Sequence, residues 1–153
     1  MNYAGFWKRF GAIIIDGILL WIVQWIALTP ILTSMGLVTD MTNMASGDVD
    51  PMAMLTKLMA IFSISGLISW VVNLLYFSFM ESSKFQATIG KLALGIKVTD
   101  LGGQKLDFFK ALVRNISKIV SSFILLIGYI MAGFTEKKQA LHDMIAGTLV
   151  INK

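Results

Sequence analysis

Of 153 residues, 56% are hydrophobic and only 14% are charged, against about 45–50% and about 25% in soluble domains. With a mean hydropathy of +0.75, this composition describes one integral membrane unit, too short for a second sizeable domain. Cysteine is absent and His142 is the single histidine, which excludes a disulfide framework, a thiolate site and a structural zinc cluster. The formal charge of +4 lies on residues that flank apolar segments and set topology. Without a basic stripe on a soluble fold, it does not point to nucleic acid.

Taken in chain order, Lys8 and Arg9 precede an apolar run over about 10–32, against roughly 20 residues needed to cross the hydrocarbon core. A secretory signal has a shorter apolar core and a small-residue cleavage site, so the run reads as a retained helix, with Pro30 near its far end. Residues 34–56 form a polar loop with Asp40, Asp48, Asp50 and Pro51 and no Lys or Arg. That fits an extracytoplasmic position and leaves the N-terminus cytoplasmic. A second span covers about 58–80.

Beyond Met80 the loop carries Lys84, Lys91, Lys97 and Lys105, a basic density expected of cytoplasmic segments. Ile96-Lys97-Val98-Thr99 alternates, Leu101-Gly102-Gly103 supplies turn chemistry, and Gln104-Lys105-Leu106 comes next. Together they predict a β-hairpin, with which the β-prone tail 147–151 could pair. Gly90-Lys91 is not a phosphate-binding loop, because Leu92 stands where Ser or Thr is required.

Asp107 reads as the N-cap of a helix starting at Phe108. Lys110, Arg114 and Lys118 recur every fourth residue on one face, with Phe109, Leu112, Val113, Ile116 and Val120 largely on the other, an amphipathic, membrane-surface pattern. The basic face then contacts anionic headgroups or attracts an anionic ligand. The region about 107–135 is either a third span or a hairpin that dips into the membrane and returns. The hairpin is the favoured reading, because it keeps Lys137 and Lys138 with the other basic flanks.

Asp16 lies inside the first span, where a carboxylate costs roughly 2.5–3.5 kcal/mol and therefore needs a partner, water or a proton. Seven residues separate it from Arg9, which places both on one helical face about 10.5 Å apart along the axis, too far for a direct pair. Arg9 reads as a topology anchor that snorkels to headgroups, or as a gating residue. Asn73 matches Asp16 in depth, and Ser65 and Ser69 continue its row on the second helix, so Asp16 is expected to face Ser69 and Asn73. Such a set either joins helices or binds a monovalent cation or a proton through oxygen ligands. His142-Asp143 admits a pH-sensing reading, with a local turn or cap the commoner role. No nucleophile or carboxylate pair has a recognisable catalytic setting, so neither enzyme chemistry nor a cofactor is expected.

The stretch Phe6-Trp7-Lys8-Arg9-Phe10 through Ile15-Asp16 resembles the opening of the RDD family of small bacterial membrane proteins, named for an arginine and two aspartates. Thr88-Ile89-Gly90-Lys91-Leu92 through Gly95-Ile96-Lys97-Val98-Thr99-Asp100 is similar to that family's Gly-Lys, Gly-Ile and Val-Asp loop, and Gln139-Ala140-Leu141-His142-Asp143 through Thr148 to its closing motif. The resemblance implies that Arg9 and Asp16 are the family's arginine and first aspartate, and that Asp143, ahead of Asp100, is the second. It also implies a role in transport of unidentified ligands, with sodium/proton antiport suggested for some members.

The expectation is thus an all-α membrane protein of the cytoplasmic (inner) membrane. It has two spans, a C-terminal membrane-dipping hairpin (or third span) and a small cytoplasmic β-hairpin. Two spans cannot enclose a pathway, so transport needs a homo-oligomer or a related membrane subunit. The leading function is exchange of Na⁺ or another monovalent cation for H⁺ at Asp16, with Ser69 and Asn73 as further ligands. The alternative is a non-transporting scaffold or lipid-binding module, in which Arg9, Lys110, Arg114 and Lys118 contact anionic lipids of the bilayer.

Overall fold

The long runs of Ile, Leu, Val, Phe and Trp form two helices that extend past the expected spans at both ends. In the computed structural model, which describes residues 2–47, 50–123 and 130–153, α1 covers Phe6–Ser34 and a second long helix covers Pro51–Ser82. Both are long and apolar enough to cross a bilayer. Pro30 does not end α1, which continues to Ser34. The Thr29 and Thr33 hydroxyls donate to backbone carbonyls of their own helix, a satisfaction that hydrocarbon demands. Between the two helices the expected polar loop contains a helix, α2 (Leu37–Ser46), so the second long helix is α3. Asp48 lies outside the described residues.

The chain divides into two compact units, residues 19–72 and residues 1–18 with 73–153. In the first, Leu20, Met54 and Ile61 are buried and Lys57 pairs with Asp40. The second contains the remaining elements. A short helix α4 (Ile89–Ala93) leads into strand β1 (Ile96–Asp100). After it come α5 (Phe108–Phe123), a 3₁₀ turn over Met131–Gly133, α6 (Leu141–Ala146) and β2 (Thr148–Asn152).

The expected hairpin is corrected here. β1 pairs antiparallel with β2, Ile96 opposite Asn152 and Asp100 opposite Thr148, and residues 104–106 are not a strand. The Asp100 carboxylate accepts from the Gly102 and Gln104 amides, which folds the Gly102-Gly103 segment into a loop. The tail therefore supplies the partner that a hairpin would have supplied locally. The N-terminal segment joins the far side of β2, where the Ala4 amide donates to the Val150 carbonyl at 2.9 Å and Tyr3 bridges Ile151. Ala4, Ala12, Ile96, Val98, Leu106, Ala111 and Val150 form the buried core beneath this sheet.

Asp107 caps α5 as expected, its carboxylate accepting from the Phe109 amide at 3.0 Å. The helix then departs from the surface pattern. Its apolar positions Phe109, Val113 and Ile116 face outward, while Arg114 and Asn115 are buried. A helix that buries its charges and exposes its apolar stripe is the reverse of a surface helix in water. The apex of the expected C-terminal hairpin falls at 124–129, outside the described residues. Beyond that apex the chain returns to α5, because Arg114 bonds Asp143 and Ser121 bonds His142. Among the described residues no third helix reaches spanning length.

Candidate functional site

Arg9, Ala12, Asp16 and Leu20 are all buried, at spacings of three and four, so they form one stripe of α1. This places Arg9 and Asp16 on a common face, as the sequence implied, but each has its own partners. Asp16 is fully buried. Its Oδ1 accepts from the Tyr76 hydroxyl at 2.9 Å and the Gly90 amide at 2.8 Å, and its Oδ2 accepts from the Thr88 hydroxyl at 2.5 Å. Hydrogen bonds to a charged group contribute about 1.5–3 kcal/mol each, so three of them offset the insertion cost of the carboxylate. The expected contact with Asn73 is not among these bonds; Ser69 lies in the other unit.

Thr88 caps α4, accepting from the Lys91 amide, and donates to Asp16. The Tyr76 hydroxyl, besides its bond to Asp16, accepts from the Ile89 amide at 3.1 Å. Gly90 lets the helix backbones touch, since a Cβ there would sit 2.2 Å from the Ala12 carbonyl oxygen. Lys91 turns inward and pairs with Glu81. We expect Gly90→Ala to cost at least the 1–3 kcal/mol typical of overpacking, because the obstructing atom is backbone. Gly17→Ala, with open space at its Cβ, serves as the control. Thermal unfolding of the detergent-solubilised variants checks this, and equal midpoints for the two would refute the close approach.

A second buried cluster lies nearby in the same unit. Asp143 is held by Arg9 and by Arg114 (2.8 Å), and its carboxylate also accepts from the Ala140 amide at the start of α6. Glu81 accepts two 2.8 Å bonds from Arg114, one from the Asn115 amide and one from Lys91, with the Lys118 ammonium at 4.0 Å. Arg9 also donates to the Ala4 and Lys138 carbonyls. Arg9 and Arg114 are therefore buried in ion pairs rather than exposed; Lys110 alone of the basic face is exposed. Asp100 shapes its loop, whereas Asp143 shares the buried cluster with Arg9.

The electrostatics follow from burial and from these pairs. Burial opposes the Asp143 charge, but Arg114 and Arg9 outweigh it and hold the carboxyl well below the usual carboxylate range. Burial works against the Arg114 charge too, and Glu81 and Asp143 reverse it, raising the guanidinium above its ordinary value. Lys91 is pulled down by burial despite Glu81. Lys118 falls to about 7, mainly by burial, with Glu81 opposing and Arg114 and Lys91 adding to the shift. Burial, reinforced by Arg114 and opposed by Asp143, pushes His142 below its normal value. The His142 ring is packed and in hydrogen-bond distance of the Ser121 hydroxyl at 3.2 Å.

Arg9, Lys91, Arg114, Lys118 and His142 line a cavity of about 360 Å³ whose other walls include Phe6, Phe10, Ile13 and Phe77. Four cations surround it, with two carboxylates to balance them. Among the described residues no group of His, Asp and Glu is arranged to hold a metal ion.

Two helices of spanning length, joined to a compact unit with a buried ion cluster, define a small membrane protein of mixed helix and sheet. The chain belongs to the RDD family, whose model matches residues 3–147. It is 37% identical over 154 residues to the "uncharacterized protein YxaI" of Bacillus subtilis (strain 168), covering 98% of this chain and 97% of that one. It is 30% identical to the "uncharacterized membrane protein YteJ" of the same organism, over 99% of this chain and 82% of the relative. No solved structure gives a significant match.

Proposed function

We propose that this protein is a membrane-embedded lipid-binding module whose cavity holds the anionic headgroup of a phospholipid. The observation that carries the reading is the charge of the cavity wall: Arg9, Lys91, Arg114 and Lys118 converge on a volume otherwise walled by aromatic and aliphatic side chains. Ligand sites are concave, mostly apolar and supplied with a few convergent polar groups, at about 300–1,000 Å³. Guanidinium and ammonium groups bind phosphate oxygens as fork and point charge respectively. The outward apolar face of α5 supports a position of the cavity close to acyl chains. In this reading the N-terminus is cytoplasmic, the segment 107–135 re-enters rather than spans, and the protein performs no chemistry on its ligand. Copies of the chain or a related subunit complete the assembly.

The reading is tested by native mass spectrometry and thermal unfolding of purified protein with phosphatidylglycerol or with zwitterionic phosphatidylcholine. Phosphatidylglycerol should be retained and should raise the unfolding midpoint, by the mass-action rule for a ligand of the folded state. Equal retention and equal shifts for the two lipids would remove the reading.

A second reading is cation/proton exchange at Asp16, supported by the complete burial of a carboxylate in a spanning helix. It predicts that Na⁺, K⁺ or Li⁺ dissipates a pH gradient in everted membrane vesicles. That response should vanish in Asp16→Asn at matched expression.

A further inference from the structure

The charges around the cavity do not cancel. Arg9 from α1, Lys91 from α4, and Arg114 and Lys118 from α5 line its wall. Glu81 from α3 and Asp143 from α6 are the carboxylates paired with them. Four cations against two carboxylates leave an excess of two positive charges. Lys118 Nζ lies 4.0 Å from Glu81 and 4.1 Å from the centroid of the Phe77 ring, contacts that favour its ammonium form. His142, also in the wall, is neutral or positive in its two states and cannot reduce the excess. The other side-chain carboxylates of this unit lie elsewhere. Asp16 is bonded to Tyr76, Thr88 and Gly90, Asp100 folds its loop, Asp107 caps α5, and Glu136 is exposed. Residues 124–129 contain no Asp or Glu. Confined charge without a counter-charge is expensive, and an incoming anion relieves that cost in proportion to its own charge. The donors can receive one without leaving their present partners. A guanidinium has five N–H groups and an ammonium three; the bonds of Arg9 to Ala4, Asp143 and Lys138 and of Lys91 to Glu81 leave some of these over.

We infer that the headgroup this cavity selects is a phosphate monoester, doubly charged and carried on an apolar tail. This rests on the lipid-binding reading above and gives the class of its ligand. A phosphomonoester carries about −1.5 to −2 charge at neutral pH and presents three acceptor oxygens. A phosphodiester carries a single charge and one unsubstituted oxygen fewer. The dianion matches the excess of the wall, whereas the diester leaves part of it uncompensated. The planar forks of Arg9 and Arg114 suit paired phosphate oxygens, and Lys91 and Lys118 act as point charges. Apart from His142, the rest of the wall is apolar, with Phe6, Phe10, Ile13 and Phe77 among it. Such a wall suits a hydrocarbon stem and offers little to a second polar substituent on the phosphate.

Titration calorimetry of the full chain in detergent, at neutral pH, compares dihexanoyl phosphatidic acid, phosphatidylglycerol and phosphatidylcholine. Phosphatidic acid should bind at least about tenfold more tightly than phosphatidylglycerol, and phosphatidylglycerol more tightly than phosphatidylcholine. Lys118→Gln subtracts one positive charge and leaves Glu81 with Lys91 and Arg114. It should narrow the preference for phosphatidic acid to about threefold or less, with its unfolding midpoint reporting that it is folded. Should that variant not fold, the wild-type ratio decides alone. Inorganic phosphate separates a lipid head from a soluble dianion: the lipid source requires that phosphate at equal concentration fails to displace phosphatidic acid. Equal affinity for phosphatidic acid and phosphatidylglycerol, both above phosphatidylcholine, would overturn the monoester assignment and leave the lipid reading standing. An undiminished preference in folded Lys118→Gln would overturn its origin in the excess charge. Equal binding of all three lipids would overturn the lipid reading and the assignment together. Ready displacement by inorganic phosphate would overturn the apolar tail while selection of a dianion stood.

Discussion

Arg114→Gln is expected to lower folding stability by about 3–5 kcal/mol, the loss found when one partner of a buried charge cluster is removed. The reason is its position between two carboxylates: it gives Glu81 two bonds of 2.8 Å and Asp143 another of 2.9 Å, while itself almost wholly buried. Removing it leaves Glu81 to Lys91 and Lys118, and Asp143 to Arg9, in a setting where a poorly paired charge is expensive. For a chain of this size the loss corresponds to a fall of roughly 6–20 °C in the unfolding midpoint. Arg114→Lys should recover less than half of it, because a point charge cannot serve two carboxylates as a planar fork does. Lys110→Gln, on the exposed side, should stay within about 0.5 kcal/mol of wild type. Acid titration reports on the same cluster. Asp143 is held below its ordinary 3.8, so the unfolded chain protonates first. Its contribution is complete above that value and is lost as pH falls below it. Unfolding at low pH should therefore begin at a higher pH in Arg114→Gln. Tryptophan fluorescence reads these midpoints, and a wild-type midpoint for Arg114→Gln would refute the role.

How much of this was legible in the sequence depended on whether the signal was local. The two spanning helices, the Asp107 cap and the shared face of Arg9 and Asp16 follow from composition and from the 3.6-residue period. The pairing of β1 with the tail was open to sequence, but the rival hairpin signal was as strong locally, and only long-range packing decides between them. The inversion of α5 is not legible because a 3.6 period defines two faces without saying which one turns inward. In water, Lys110, Arg114 and Lys118 would form the outer face; beside Glu81 and Asp143, two of the three turn inward. Glu81 itself carried a weak signal, a carboxylate at the end of a span among lysines. The depth match between Asp16 and Asn73 considered only the two long helices. It could not register that α4, a five-residue helix, would present Thr88 and Gly90 to the same carboxylate. The family motifs marked those residues without stating what they touch, and geometry supplied the contacts.

Asp16 offers the second large effect, and its two substitutions separate a structural role from a titrating one. In Asp16→Leu the Tyr76 hydroxyl, the Thr88 hydroxyl and the Gly90 amide all lose their acceptor in a buried setting, at about 1–3 kcal/mol each. Even a partial sum is a large share of the 5–15 kcal/mol that holds a typical protein together, and folded protein should be scarce or absent. Asp16→Asn behaves differently. Its carbonyl can keep the Oδ1 position, where Tyr76 and Gly90 donate. Its amide then occupies the Oδ2 position and donates to Thr88, whose hydroxyl reverses to accept. All three contacts survive with a neutral group, so the expected loss is close to 1 kcal/mol, the scale of about one ordinary hydrogen bond. Size-exclusion profiles and unfolding midpoints measure this directly. A folded Asp16→Asn that retains lipid binding makes the carboxylate a strut between α1 and α4. If Asp16→Asn were as unstable as Asp16→Leu, the negative charge itself would be required, and the neutral-strut account would fail.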